Sequence, residues 1–173
     1  MMIEMLKAKI RDIPDFPQPG IVFKDITPLL GDAKAFGAAI ERLRQRYSGQ
    51  HVDYVVGVEA RGLVIGAALA NALGTGFIMV RKPGKLPAET LQATYQLEYG
   101  TDSLEIHLDA MSPGSQVVIV DDVLATGGTM TAVTELVATL KAEIIELAFL
   151  IELSFLNGRS KLTNHSLYSL IQY

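Results

Sequence analysis

Two carboxylates, Asp121 and Asp122, stand side by side where an apolar run meets a small-residue loop: residues 117–129 read VVIVDDVLATGGT. The loop has the composition of an anion cradle. Set between a buried strand and the first turn of a helix, it would offer unpaired backbone N–H groups and the positive end of the helix dipole. Gly127 and Gly128 let the main chain come close to an anion. Thr126 and Thr129 add hydroxyl donors. Acids that faced a bound phosphate would repel it, so the pair makes sense if it serves hydroxyls or a metal ion nearby. A sugar phosphate has that layout, with its phosphate in the loop and its diol on the acids.

An anionic ligand also needs cations, and two segments supply them. GVEARG carries Arg61, and RKPGKLP carries Arg81, Lys82 and Lys85. Taken alone, RKPGK is also an ordinary solvated turn, and Arg61 could simply pair with Glu59 at the surface. Several rival motifs are missing. The P-loop pattern G-x-x-x-x-G-K-[ST], which should accompany a Walker B acid, does not occur, nor does G-x-G-x-x-G. No serine sits in G-x-S-x-G. His51, His107 and His165 have no metal-binding spacing, and cysteine is absent.

The surrounding chain has to position these groups. At 173 residues it fits one domain (1–173) with a sizeable core. Its composition is 49% hydrophobic and 20% charged, as in globular proteins. Fifteen basic against 19 acidic residues give a net charge of −4, which argues against a nucleic-acid surface. The amphipathic start MMIEMLKAKI lacks the apolar core of a signal peptide. No apolar run reaches membrane-spanning length. A cytoplasmic location is the expectation.

Alternation of strand and helix patterns predicts an α/β fold, a mostly parallel central sheet with helices on both faces. Short apolar runs at 52–58, 76–80, 115–123 and 143–153 read as strands. Residues 32–47, 62–74 and 127–142 read as helices, with Asp32 as an N-cap and Gly74 as a stop. Strand C-termini would then share one rim, where such folds bind ligands. One of the two acids is expected past the end of its strand, since neighbouring strand side chains point to opposite faces. Residues 12–31 are proline-rich and too irregular for a core helix. Two period-2 stretches, TLQATYQLEY and SLEIHL joined by GTD, predict an antiparallel hairpin reaching out from the sheet.

The thirteen-residue string resembles the phosphoribosyl pyrophosphate (PRPP) signature of the type I phosphoribosyltransferases. IPDFPQPGIVFKDITPLL, GVEARG, RKPGKLP, LEYGTDSLEIH and LNGRSKL follow in the family's order, in the form typical of its adenine-using branch. The resemblance implies the type I fold with an N-terminal hood (12–31), a flexible lid hairpin (82–108) and the PRPP motif (117–129). It implies purine salvage: transfer of phosphoribose from PRPP to adenine, giving AMP and pyrophosphate. Mg²⁺ would be held mainly through PRPP and pyrophosphate, with no dedicated protein site. A homodimer is implied, with residues 81–86 near its interface, and neither nucleic acid nor membrane as partner.

Residue roles follow from the same resemblance. Ala125, Thr126, Gly127, Gly128 and Thr129 would hold the 5-phosphate, and Asp121 and Asp122 the ribose hydroxyls. Arg61, Arg81, Lys82 and Lys85 would hold pyrophosphate. A non-proline cis peptide is implied within residues 59–62. Glu98 would handle the proton on the N9 side of adenine, help typically worth ~10²–10⁴-fold. Tyr99 and Arg61 join it as catalytic candidates, although Tyr99 could instead only cap the hairpin. Backbone groups at Val22 and Lys24 would read the edge of the base. Phe23 would stack on one face, with Val123 or Leu124 closing the other. Gly84 and Gly100 are hinge candidates. A phosphoribosyltransferase for hypoxanthine, guanine or xanthine would share the phosphate machinery. A PRPP-sensing regulator is a further alternative, but it would need a basic face or an added DNA-binding unit.

Overall fold

The computed structural model describes residues 2–96 and 100–173. A short helix α1 (Met2–Lys7) leads into a small antiparallel hairpin, β1 (Arg11–Pro14) with β2 (Val22–Asp25). Helices α2 (Thr27–Gly31) and α3 (Ala33–Arg46) follow. Then come β3 (Tyr54–Val58), α4 (Arg61–Leu73) and β4 (Gly76–Val80). A second hairpin pairs β5 (Thr90–Gln96) with β6 (Thr101–His107). Next are β7 (Gln116–Leu124), α5 (Gly128–Thr139), β8 (Glu143–Glu152) and β9 (Leu167–Gln172). Two 3₁₀ turns, Ser154–Leu156 and Gly158–Lys161, join β8 to β9.

The central sheet has the order β4-β3-β7-β8-β9, with every pairing parallel. Parallel strands covered on both faces must be apolar throughout, which is why Val117, Val118, Ile119 and Val120 show no exposed surface. Burying each such side chain contributes ~1.5–3 kcal/mol. One apolar cluster joins α1, α3 and α4 to one part of the sheet, and another joins α5 and the β5–β6 hairpin to it. Among the described residues no helix is long and apolar enough to cross a membrane.

Local signals act as the sequence indicates. The Asp32 side chain accepts from the N–H groups of Lys34 and Ala35 at 3.0 and 3.1 Å, a cap worth ~1 kcal/mol. Gly74 ends α4 in the left-handed region. Three expectations are corrected. The strand β7 runs through both acids to Leu124 instead of ending between them. The β5–β6 hairpin packs on α5, with Leu104 and Ile106 buried, and does not project from the sheet. The irregular-looking segment 12–31 contains β1 from Asp12 onward, all of β2 and α2.

Strand order sets the functional rim. The chain enters at β3, adds β4 on one side, then crosses to β7 on the other. A crevice therefore opens between the C-terminal ends of β3 and β7, the switch point where open parallel sheets hold ligands.

Candidate active site

Both helices that start at this crevice lack a side-chain N-cap. Helix α4 follows Ala60, and α5 follows Gly127, which has φ +83°. Their first N–H groups point to the rim with the positive end of each helix dipole. The loop 125–129 at the start of α5 encloses a small cavity of ≈ 60 Å³. Asp121, Val123 and Phe149 also line it. Thr126 is shared with a larger cleft of ≈ 660 Å³ lined by Val22, Lys24, Leu153, Phe155 and Tyr173 among others. That volume lies within the usual range for small-molecule sites, ~300–1,000 Å³. One threonine thus joins a phosphate-sized pocket to a base-sized one.

The two acids have different surroundings. Asp122 is 6% exposed, and its carboxylate pairs with Nε of Arg61 at the first turn of α4. Asp121 turns back so that its Oδ1 accepts from the N–H of Asp122 at 2.8 Å. Part of Asp121 remains accessible, but its carboxyl is enclosed. Burial, and then the charge of Asp122, push its pKa well above the ordinary 3.8. A carboxyl that favours its proton repels an incoming phosphate less than a carboxylate would. Gly62 makes this packing possible, since a methyl there would stand 2.8 Å from Asp121 Oδ1 and 2.9 Å from the Val120 carbonyl.

Basic residues converge on the same rim through acids. Glu59, at the end of β3, accepts from Arg81 Nε at 3.2 Å and from the Lys82 N–H at 2.9 Å. Burial works to raise the Glu59 pKa, but these bonds and the Arg81 charge outweigh it and hold the group ionised. Arg81 Nη1 also donates to the Lys85 carbonyl at 3.3 Å. Glu105 accepts from the Gly84 N–H at 3.1 Å, so the turn 81–85 is pinned on two sides. Lys82 Nζ pairs with Asp102 of β6, and the Tyr95 hydroxyl donates to the same carboxylate at 3.3 Å. The Lys85 side chain is exposed. The peptide Glu59–Ala60 is cis.

On the hood strand, Val22 and Lys24 line the larger cleft. The Lys24 ammonium is committed to Asp12 at 2.7 Å and lies 4.0 Å from the Tyr173 ring centre. Phe23, between them, turns toward Arg61 (5.1 Å from ring centre to guanidinium carbon) and meets Phe16 edge-on at 5.3 Å. The Arg61 guanidinium thus lies over one face of its ring. Leu124 is 1% exposed and belongs to the core, so of the two residues expected against the base Val123 has the surface to offer. Arg61 pairs with Asp122, not with Glu59. Glu98 and Tyr99 lie outside the described residues.

Sequence reasoning passed over Asp102, Tyr95 and Glu105, which hold the basic turn, and the Glu152–Arg159 pair at the end of β8. For Glu152 a signal existed: an acid inside the apolar run AFLIEL has to find a partner.

Comparison with known proteins shows the family. Residues 29–167 match the phosphoribosyl transferase domain family. An adenine phosphoribosyltransferase from Trichlorobacter lovleyi is 60% identical over 171 residues, covering 99% of this chain and all of that one. The crystal structure of adenine phosphoribosyltransferase from Thermoanaerobacter pseudethanolicus has a TM-score of 0.96 at 56% identity, with 99% of both chains covered. The chain belongs to the adenine phosphoribosyltransferase family. The Saccharomyces cerevisiae enzyme, solved with adenine and an iminoaltritol bisphosphate, is 44% identical with a TM-score of 0.93, and 98% of each chain is covered.

Proposed function

We propose that this protein transfers the 5-phosphoribosyl group of PRPP to N9 of adenine, releasing pyrophosphate and forming AMP. The observation that carries the reading is a pair of adjacent cavities. One is walled by the main chain at the start of α5 and one by the hood strand, and Thr126 lies in both.

The N–H groups of 126–129 hold the 5-phosphate, helped by the Thr126 and Thr129 hydroxyls. Asp121 and Asp122 meet the ribose diol. Bond breaking at C1 leaves charge on the departing pyrophosphate, and Arg61, Arg81, Lys82 and Lys85 stand where fixed cations stabilise it. Adenine N9 forms the new bond as the C1–oxygen bond breaks, and its proton passes to Glu98. Main-chain groups at Val22 and Lys24 pair with the adenine edge. A base with a carbonyl at position 6 would leave them unpaired. Phe23 stacks on one face of the base and Val123 closes the other. Closure of the 82–108 hairpin excludes water from the C1 centre.

Among the described residues no three acids or histidines cluster to hold a metal. Mg²⁺ would be carried mainly on the substrate's diphosphate and diol, and would supply positive charge at the leaving group. Asp121 and Asp122 would meet that complex through the diol. We place the enzyme in the cytoplasm as a homodimer, with residues 81–86 near the interface. An assay with PRPP and each of adenine, hypoxanthine, guanine and xanthine tests the reading. Turnover on adenine alone supports it, and turnover on a 6-oxopurine in preference to adenine contradicts it.

A further inference from the structure

The segment LNGRSKL, residues 156–162, lies directly against the small-residue loop. A methyl group on Gly158 would stand 2.3 Å from the Ala125 carbonyl oxygen and 3.1 Å from the Gly127 nitrogen. A methyl on Gly127 would stand 2.7 Å from the Gly158 carbonyl oxygen. The two backbones therefore touch with no room for a side chain between them. Arg159 anchors the turn from behind. Its Nε and Nη2 donate to the two carboxylate oxygens of Glu152 at 2.6 and 2.8 Å. Glu152 is 5% exposed and also accepts from Ser169 Oγ at 2.6 Å and Gln172 Nε2 at 3.3 Å, which ties the turn to β9. Leu162 at the end of the turn is buried in the same cluster as Leu124 and Met130.

Ala125, Gly127 and Gly128 have almost no side chain with which to order their own loop. Glycine-rich backbone is conformationally free, so neighbours must fix it. We propose that Arg159, acting through Gly158, is a positioning residue for the 5-phosphate. The guanidinium–carboxylate fork sets the Gly158 backbone, and that backbone sets the loop whose N–H groups grip the ligand. The proposal rests on the reading of 125–129 as the phosphate cradle. Lysine cannot reproduce the fork, because it is a single point charge on a flexible stem.

The test is calorimetric titration of the full chain with ribose 5-phosphate, whose strong anion is the 5-phosphate, and separately with pyrophosphate and Mg²⁺. Arg159→Met is expected to weaken ribose 5-phosphate by roughly tenfold or more. Arg159→Lys should weaken it by less, and pyrophosphate affinity should stay within about twofold. Equal weakening of both ligands, or of neither, in a folded variant overturns the proposal. Should Arg159→Met fail to fold, Arg159→Lys and Gly158→Ala make the same comparison. Gly127→Ala separates the two readings. If it alone weakens ribose 5-phosphate, the brace is wrong and the cradle stands. If no variant does, the cradle itself is wrong.

Discussion

Replacing Gly127 by alanine perturbs the loop at its tightest point. The residue has φ +83°, where a side chain costs ~1–2 kcal/mol. Its new methyl would also lie 2.7 Å from the Gly158 carbonyl oxygen and 3.4 Å from that residue's carbonyl and α carbons. These are main-chain atoms that cannot rotate away, so the loop has to move. Each hydrogen bond from an N–H to a charged phosphate is worth ~1.5–3 kcal/mol. Misaligning two of them gives ~3–6 kcal/mol, or a fall of ~10²–10⁴ in kcat/KM for PRPP. Steady-state kinetics with PRPP varied at saturating adenine measures this, with circular dichroism to confirm folding. Gly114→Ala is the control. Gly114 has φ +82° but no atom within 4 Å of the added methyl, so it carries the backbone cost without the collision. If Gly127→Ala keeps kcat/KM within about threefold of wild type, the loop does not bind the phosphate and the reasoning fails.

Further expectations follow from the same contacts. Because the folded pKa of Asp121 is raised, its contribution to stability is complete below the ordinary 3.8 and is lost as pH rises through the folded value. Asp121→Asn does not titrate there, so its stability relative to wild type should climb as pH rises above the ordinary 3.8 in urea unfolding. A gap that stays constant with pH would contradict the assigned environment. Arg61→Lys keeps a cation but loses the guanidinium held on Asp122 and over Phe23. Turnover should drop by ~10²-fold, while stability falls by only ~1 kcal/mol because the arginine is 39% exposed. Glu146 lies near the opposite end of β8 and accepts from Arg46, Tyr47 and Ser166. Glu146→Ala should cost ~1–3 kcal/mol in denaturant unfolding, since Arg46 is partly exposed and can recover water. The kcat should be unchanged.

The parts legible in the sequence were those governed by local rules. Apolar runs gave β3, β4, β7 and β8, and Asp32 and Gly74 bounded helices by side-chain capping and left-handed backbone. The anion loop could be read because its small residues, two glycines and neighbouring acids all serve one chemistry. What escaped notice depends on distant partners. The strand β9, in HSLYSLIQY, has no strong periodicity, and it becomes a strand by pairing with β8. The hairpin was assigned correctly as a pair of strands but misplaced, because nothing in TLQATYQ states that it will lie on α5. Arg61 was recognised as a ligand-binding cation, with its sequence neighbour Glu59 as the alternative partner. The fold joins it instead to Asp122, 61 residues away, and gives Glu59 to Arg81. Arg159 stood in a quoted motif without a role, since its partner Glu152 is buried beneath the loop it braces.

The central claim is that the start of α5 holds the 5-phosphate while the hood strand holds the base. A crystal structure of the protein with AMP tests it most directly. The account predicts the phosphate within hydrogen-bond reach of the main-chain N–H groups of 126–129, and adenine in the cleft beside Val22 and Lys24. Phosphate density anywhere else on the molecule, or adenine outside that cleft, would contradict it.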